Sequence, residues 1–236
     1  MPKPPLPKTP PQILYEDNHL LVINKPAGLA TQGVAEGTPS LVTEIKKYLK
    51  AKYKKPGNVY LGVVSRLDAS TTGAVVLART SKAAARLSEQ FREGTVEKTY
   101  WALVAPPPDP PTAEQTDWLK KDEKLQRMTV VRKFTIGAQR AHLSYATLQS
   151  AAGVSLLSIR LETGRKHQIR LQLANLGSAI LGDRKYGSRR PFGEGIALHA
   201  RELQIEHPIS KKPLRFVAPL PATFSKYVDE AALGNT

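Results

Sequence analysis

Ile13-Leu14-Tyr15-Glu16-Asp17-Asn18-His19-Leu20-Leu21-Val22-Ile23 sets two short apolar runs on either side of four polar residues. Short apolar runs around a polar turn predict a β-hairpin. Lys25-Pro26-Ala27-Gly28 then ends the second strand, because proline followed closely by glycine breaks a ladder. Moving outward, Val63 to Ala78 reads as strand, polar loop, strand, with Asp68-Ala69-Ser70-Thr71-Thr72-Gly73 as the loop. A strand is expected from Thr95 to Ala105. A second hairpin is expected where Ala141–Ser150 and Val154–Glu162 flank Ala151-Ala152-Gly153. Ile196–Glu206 and Leu214–Pro219 complete the strands.

Helices fall between these strands. Pro39-Ser40 opens one with Leu41, Ile45, Tyr48 and Leu49 on a single face. Ser81 is placed to cap a second, striped by Ala84, Leu87 and Phe91 and closed by Gly94 at a C′ position. Thr163-Gly164-Arg165 leads into a short third helix, with Ile169, Leu173 and Leu176 expected inward and Gly177 at its end. Hairpins with helices between them, rather than a regular strand-helix-strand alternation, predict an α+β fold with a mixed, mostly antiparallel sheet and flanking helices. Residues 1–12 read as a flexible Pro-rich leader. Residues 13–228 read as one domain in two halves joined near 105–133, where 106–111 hold five prolines.

The 236 residues are 41% apolar, with no run approaching the roughly 18 residues of a membrane span. The N-terminus lacks the apolar core of a signal peptide, so a cytoplasmic protein without membrane contact is expected. There is no cysteine, which excludes disulfides, thiolate metal sites and cysteine nucleophiles. Lys and Arg number 35 against 20 acids, a net charge of +15. A polyanionic nucleic acid is the simplest partner for that excess, beside an acidic membrane surface or mere solubility. The densest basic segment runs from Lys46 to Lys55. It suits either RNA or a solvated helix C-terminus.

Familiar catalytic signatures are missing. No glycine-rich stretch ends in Gly-Lys-Ser/Thr, and Leu198 stands where a dinucleotide loop beginning at Gly193 needs its third glycine. The five histidines show no His-Glu-x-x-His spacing, so no metal is expected. No Gly-x-Ser-x-Gly elbow supports a serine nucleophile. Chemistry, if present, falls to carboxylate, phenol and guanidinium groups.

Three segments offer them. In Ser65-Arg66-Leu67-Asp68, followed by small residues to Gly73, an arginine and an acid stand two apart with room for a ligand at Asp68. A surface ion pair and a turn would read the same. Glu97-Lys98-Thr99-Tyr100 puts a phenol in a strand, where a core aromatic would also fit. Thr163 to Arg170 crowds Arg165, Lys166, His167 and Gln168 at a helix N-terminus, which attracts anions with or without catalysis.

Taken together, these segments resemble the RluA family of pseudouridine synthases. That family shows Arg-Leu-Asp before a Thr/Ser-rich turn ending in glycine, then Lys-x-Tyr, then Thr-Gly-Arg-x-His-Gln-Ile-Arg. Here they are Arg66-Leu67-Asp68 with Thr71-Thr72-Gly73, Lys98-Thr99-Tyr100, and Thr163 to Arg170. Lesser matches keep the order: Asn24 to Gly28, Leu181-Gly182-Asp183 with Tyr186-Gly187, Leu198-His199-Ala200, and His207-Pro208. The likeness runs from about Ile13 to Pro221. Ser65 stands where the family usually has histidine, and Thr72 where serine is common. Many relatives carry an S4 RNA-binding domain ahead of this region. Too few residues precede Ile13 to form one, so a stand-alone catalytic domain is expected.

The resemblance implies isomerisation of specific uridines in ribosomal or transfer RNA, a reaction that needs no cofactor; a monomer is expected by default. It implies Asp68, Tyr100 and Arg170 as catalytic residues. Asp68 would be the nucleophile or initiating anion, Tyr100 a base, and Arg170 the cation that keeps Asp68 ionised. It also implies Arg66, Arg165, His167 and Gln168 as substrate contacts, around a uridine flipped out of its stack. Asp183 reads as a structural turn. The competing expectation is a non-catalytic RNA-binding or ribosome-assembly factor on the same fold.

Overall fold

A computed structural model describes residues 11–229 and residue 233. Most of the Pro-rich leader, residues 1–10, therefore lies outside the described residues, while Gln12 already belongs to the first strand. In chain order the strands and helices are β1 (Gln12–Glu16), β2 (Leu20–Lys25), α1 (Leu41–Lys52), β3 (Gly62–Val63), β4 (Thr72–Ala78), α2 (Ser81–Glu93), β5 (Glu97–Ala105) and β6 (Thr112–Asp122). They continue as β7 (Arg127–Val131), β8 (Gln139–Ala151), β9 (Val154–Leu161), α3 (Gln168–Asn175), β10 (Ala179–Ile180), β11 (Leu198–Glu206) and β12 (Pro213–Val217). Two compact units result. One holds the described residues up to Lys98 with Ala200–Leu220, the other Thr99–His199 with the described residues from Pro221 onward.

In the first unit β1 and β2 form the expected hairpin. β2 pairs antiparallel with β4, and β11 pairs antiparallel with β12. β4 is buried along its whole length, so its period-2 alternation feeds two layers rather than one. Ala74, Val76 and Ala78 pack with Leu20, Val22 and the α2 residues Ala83 and Leu87. Val75 and Leu77 pack on the other side with Leu21, Ile23 and the α1 residues Leu41, Ile45 and Leu49. Ser40 caps α1 in a reciprocal capping box with Thr43. For α2 the cap is Thr80 rather than Ser81: its hydroxyl accepts from the Ala83 amide, and Gly94 closes the helix in the left-handed conformation.

The second unit is an antiparallel sheet in the order β5-β9-β8-β6-β7, with β10 on β5. The Pro-rich stretch 106–111 links β5 to β6. The β6–β7 hairpin lies within the stretch that reads in sequence as a connector. Leu171 of α3 packs with Leu119, Met128, Ala141 and Tyr186. Leu176 does not turn inward as expected. α3 ends at Asn175, and Leu176, at the C-cap, has left the apolar face and is 38% exposed.

The basic end of α1 is partly tied down. Glu16 accepts hydrogen bonds from Tyr48 (2.8 Å), Lys52 (2.8 Å) and Tyr53 (2.6 Å), and pairs with Arg79 at 3.3 Å. Burial raises the Glu16 carboxyl, but the hydrogen bonds from Lys52, Tyr53 and Tyr48 outweigh it and hold the group below its ordinary range. Lys52 is thus a staple between helix and strand, whereas Lys50, Lys54 and Lys55 are exposed. Replacing those three by glutamine tests the nucleic-acid contact expected from the sequence: the salt dependence of binding should flatten by about 0.7 in log–log slope for each phosphate left unneutralised. Titrations at several salt concentrations check this; an unchanged slope and affinity would make them a solvated helix end. Lys52→Gln should instead lower thermal stability.

Candidate functional site

The first unit carries the Asp68 segment. Asp68 is half-buried and Arg66 exposed, just ahead of β4. The backbone on both sides of Asp68 is fixed by residues 25–31. The Thr31 hydroxyl donates to the Leu67 carbonyl (2.9 Å) and accepts from the Leu67 amide (3.1 Å). The Ala69 carbonyl accepts from the Gly28 amide (2.8 Å) and from Lys25 Nζ (3.2 Å). The Thr71 amide closes the turn onto the Asp68 carbonyl at 3.1 Å. Where the loop enters β4, Gly73 has φ +112°, and an added Cβ would lie 2.3 Å from the Ala200 carbonyl oxygen. Only glycine fits there.

Lys25 is the unexpected member. It is fully buried, and its ammonium donates to the carbonyls of Pro26 and Leu29, each at 2.8 Å, as well as to Ala69. Burial pushes it down from 10.5 to about 7, against the Asp68 carboxylate, which raises it. The unfolded chain keeps the ordinary lysine value, so above about pH 7 it binds a proton that the folded chain has released. Stability therefore rises with pH between about 7 and 10.5. Below that window both states are protonated and the full cost of the buried charge applies. Relative to Lys25→Met, wild type should gain urea unfolding free energy from pH 7 to about pH 9. A flat difference would show that the titration of Lys25 is not coupled to folding.

The second unit carries the other groups. Tyr100 lies on β5 opposite Ile159 of β9, half-buried. Arg170, on α3, is buried, and its Nε and Nη2 donate to the two Asp183 carboxylate oxygens at 2.7 and 2.9 Å. Its guanidinium carbon stands 5.1 Å from the centroid of the Tyr186 ring. The Tyr186 hydroxyl lies 2.7 Å from His167 Nδ1 and accepts from the Met128 amide at 3.2 Å. Tyr186 thereby gathers His167 and Arg170. His167 is the N-cap residue of α3 in a left-handed conformation (φ +54°) without a side-chain cap, which frees its ring to turn toward Tyr186. A bidentate carboxylate fixes the plane of a guanidinium and engages two of its five N–H groups.

Arg165 is exposed, and its Nε donates to the Arg140 carbonyl at 3.0 Å. Gln168 faces inward, 3% exposed. Its Oε1 accepts from the Thr163 hydroxyl (2.8 Å) and the Arg165 amide (2.9 Å), and its Nε2 donates to the His142 carbonyl (3.0 Å). It shapes the turn that presents Arg165. Lys25, Thr31, Asp183 and Tyr186 are the residues that sequence reasoning passed over as parts of a site. Among the described residues no group of three or more His, Asp or Glu side chains is placed to hold a metal ion.

The family profile described as RNA pseudouridylate synthase matches residues 19–175. Over 90% of its length the chain is 33% identical to ribosomal large subunit pseudouridine synthase D of Zymomonas mobilis, covering 70% of that protein. It is 34% identical over 89% of its length to ribosomal large subunit pseudouridine synthase C of Vibrio cholerae, covering 66%. The solved structure of human RNA pseudouridylate synthase domain containing 4 superposes with a TM-score of 0.75 at 28% identity, over 91% of this chain and 90% of that one.

Proposed function

Because the chain belongs to the RNA pseudouridylate synthase family, it is an isomerase acting on RNA, and we propose that residues 13–228 form one catalytic domain that converts specific uridines of ribosomal or transfer RNA through Asp68. The reaction breaks the N1–C1′ bond, turns the base, and joins C5 to C1′. The C5 proton leaves and N1 gains one, so the reaction is redox-neutral and consumes no co-substrate. Asp68 initiates glycosidic cleavage and Tyr100 acts as base, with Arg170 as the third catalytic group. Arg66, Arg165 and His167 hold the flipped nucleotide and its phosphates, with Gln168 setting the turn that carries Arg165. Flipping costs a few kcal/mol, offset by these contacts.

The observation that carries this reading is the clamp on Leu67 and Ala69. It holds the main chain on both sides of Asp68, whose residue as a whole is half-buried. A uridine-cleaving glycosidase would need a second carboxyl to act as acid. The candidate, Asp183, is buried with both oxygens accepting from Arg170, the opposite of a proton donor. No helix among the described residues is long and apolar enough to cross a membrane. The proposed enzyme acts as a monomer in the cytoplasm. Mapping pseudouridines across total RNA from cells with and without this chain tests the reading and names the target. Binding to RNA with no position lost in its absence would favour an assembly factor.

A further inference from the structure

Between β7 and β8 the chain presents an apolar tip that no core explains. Phe134 and Ile136 are each 90% exposed. Two successive turns hold the tip in shape: the Thr135 amide donates to the Arg132 carbonyl at 3.0 Å, and the Ala138 amide to the Thr135 carbonyl at 2.9 Å. Gly137 supplies the positive φ (+78°) that the second turn needs, with Lys120 of β6 beneath it. Lys133 Nζ lies 5.5 Å from the Phe134 ring centroid and 5.9 Å from that of Trp118. Residues 120–140 contain seven Lys and Arg against two acids. Lys121 pairs with Glu123 and Arg140 with Glu162. Arg132 and Lys133 have no carboxylate within ion-pair distance among the described residues.

We propose that this tip is an RNA-docking point, on which Phe134 stacks a nucleobase while Arg132 and Lys133 take the flanking phosphates. A rigid ring among cations is what sequence-tolerant binding of a single strand requires. Every base offers a π-face, and the neighbouring charges meet its phosphates. Two apolar side chains ringed by cations are too small and too charged a patch for a stable protein interface. Two turns that fix the backbone of the tip before binding lower the ordering cost of the contact. The proposal rests on the reading that the substrate is RNA, and it locates a grip separate from Asp68.

The test uses the full chain and a fluorescein-labelled oligouridylate of about 12 nucleotides, within the span one small fold covers. Phe134→Ala should weaken binding about tenfold, with an unchanged salt slope and melting temperature. Phe134→Trp should stay near wild type. Arg132→Gln with Lys133→Gln should reduce the slope by about 1.4. Unchanged affinity in Phe134→Ala overturns the proposal. So does wild-type affinity in Phe134→Leu, since leucine has no ring to stack. A protein dimer that Phe134→Ala dissolves would assign the tip to a second copy and also overturn it. Turnover measured in parallel separates the two readings. Weakened binding in Phe134→Ala, with no RNA isomerised even by wild type, upholds the tip and removes the catalytic reading. Normal turnover with unchanged binding does the reverse.

Discussion

Asp68→Asn is expected to reduce turnover by at least about 10³-fold while leaving RNA affinity and melting temperature near wild type. Asparagine keeps the size of the side chain but not the anion proposed to start cleavage of the N1–C1′ bond. The segment should not move, because the clamps from Thr31, Gly28 and Lys25 hold main-chain atoms of Leu67 and Ala69. Loss of one negative charge beside a polyanion can only favour binding, so weaker RNA affinity would be unexpected. Tritium released from RNA labelled at uridine C5 reports turnover, and a filter-binding assay reports affinity. Appreciable release by Asp68→Asn removes Asp68 from the mechanism. Loss of both activity and binding would mean that the substitution disturbed the loop.

The second large effect falls on stability. Asp183→Asn should destabilise the protein by roughly 3–5 kcal/mol, because it leaves the Arg170 guanidinium buried opposite an amide. The Asp183 side chain is 1% exposed and that of Arg170 8%, so water cannot replace the missing partner. For a chain of this size, about 2–4 °C per kcal/mol puts the fall in melting temperature at roughly 6–20 °C. Pairing Asp183→Asn with Arg170→Met should recover much of it, since the buried charge is then gone, while the loss of Arg170 should abolish turnover. Calorimetry of the single and double variants checks both statements. A single variant that melts within about 2 °C of wild type would show that the pair is not what holds α3 to the Asp183 turn.

Much of the architecture was legible in local pattern. The β1–β2 and β8–β9 hairpins announce themselves by apolar-rich runs around polar or glycine turns, and Ser40 and Gly94 mark helix ends by their chemistry. The β6–β7 hairpin was not legible. Its turn, Glu123 to Gln126, contains no glycine, asparagine or proline, and Gln126 takes the positive φ itself. Its alternation is broken by Lys120 and Lys121, consecutive residues that point to opposite faces of β6. The motif residues of the candidate site were legible as a resemblance, but their supports were not. A lysine beside a proline reads as surface, since charged residues are almost never fully buried without partners. Lys25 finds its partners in three carbonyls, two of them close in sequence and the third on Ala69. Asp183 meets Arg170 across 13 positions, a distance no local period encodes.

The clamp around Asp68 has a practical corollary for engineering. Its anchors take hold of peptide groups and ignore what side chains the loop carries. The identities at Ala69 and Ser70 are therefore decoupled from the placement of the carboxylate. A saturation library confined to those two codons explores new loop surfaces on a fixed chassis. Variants that stay small there keep the room for a ligand at Asp68, whereas bulkier ones should lose turnover before they lose the placement of the loop.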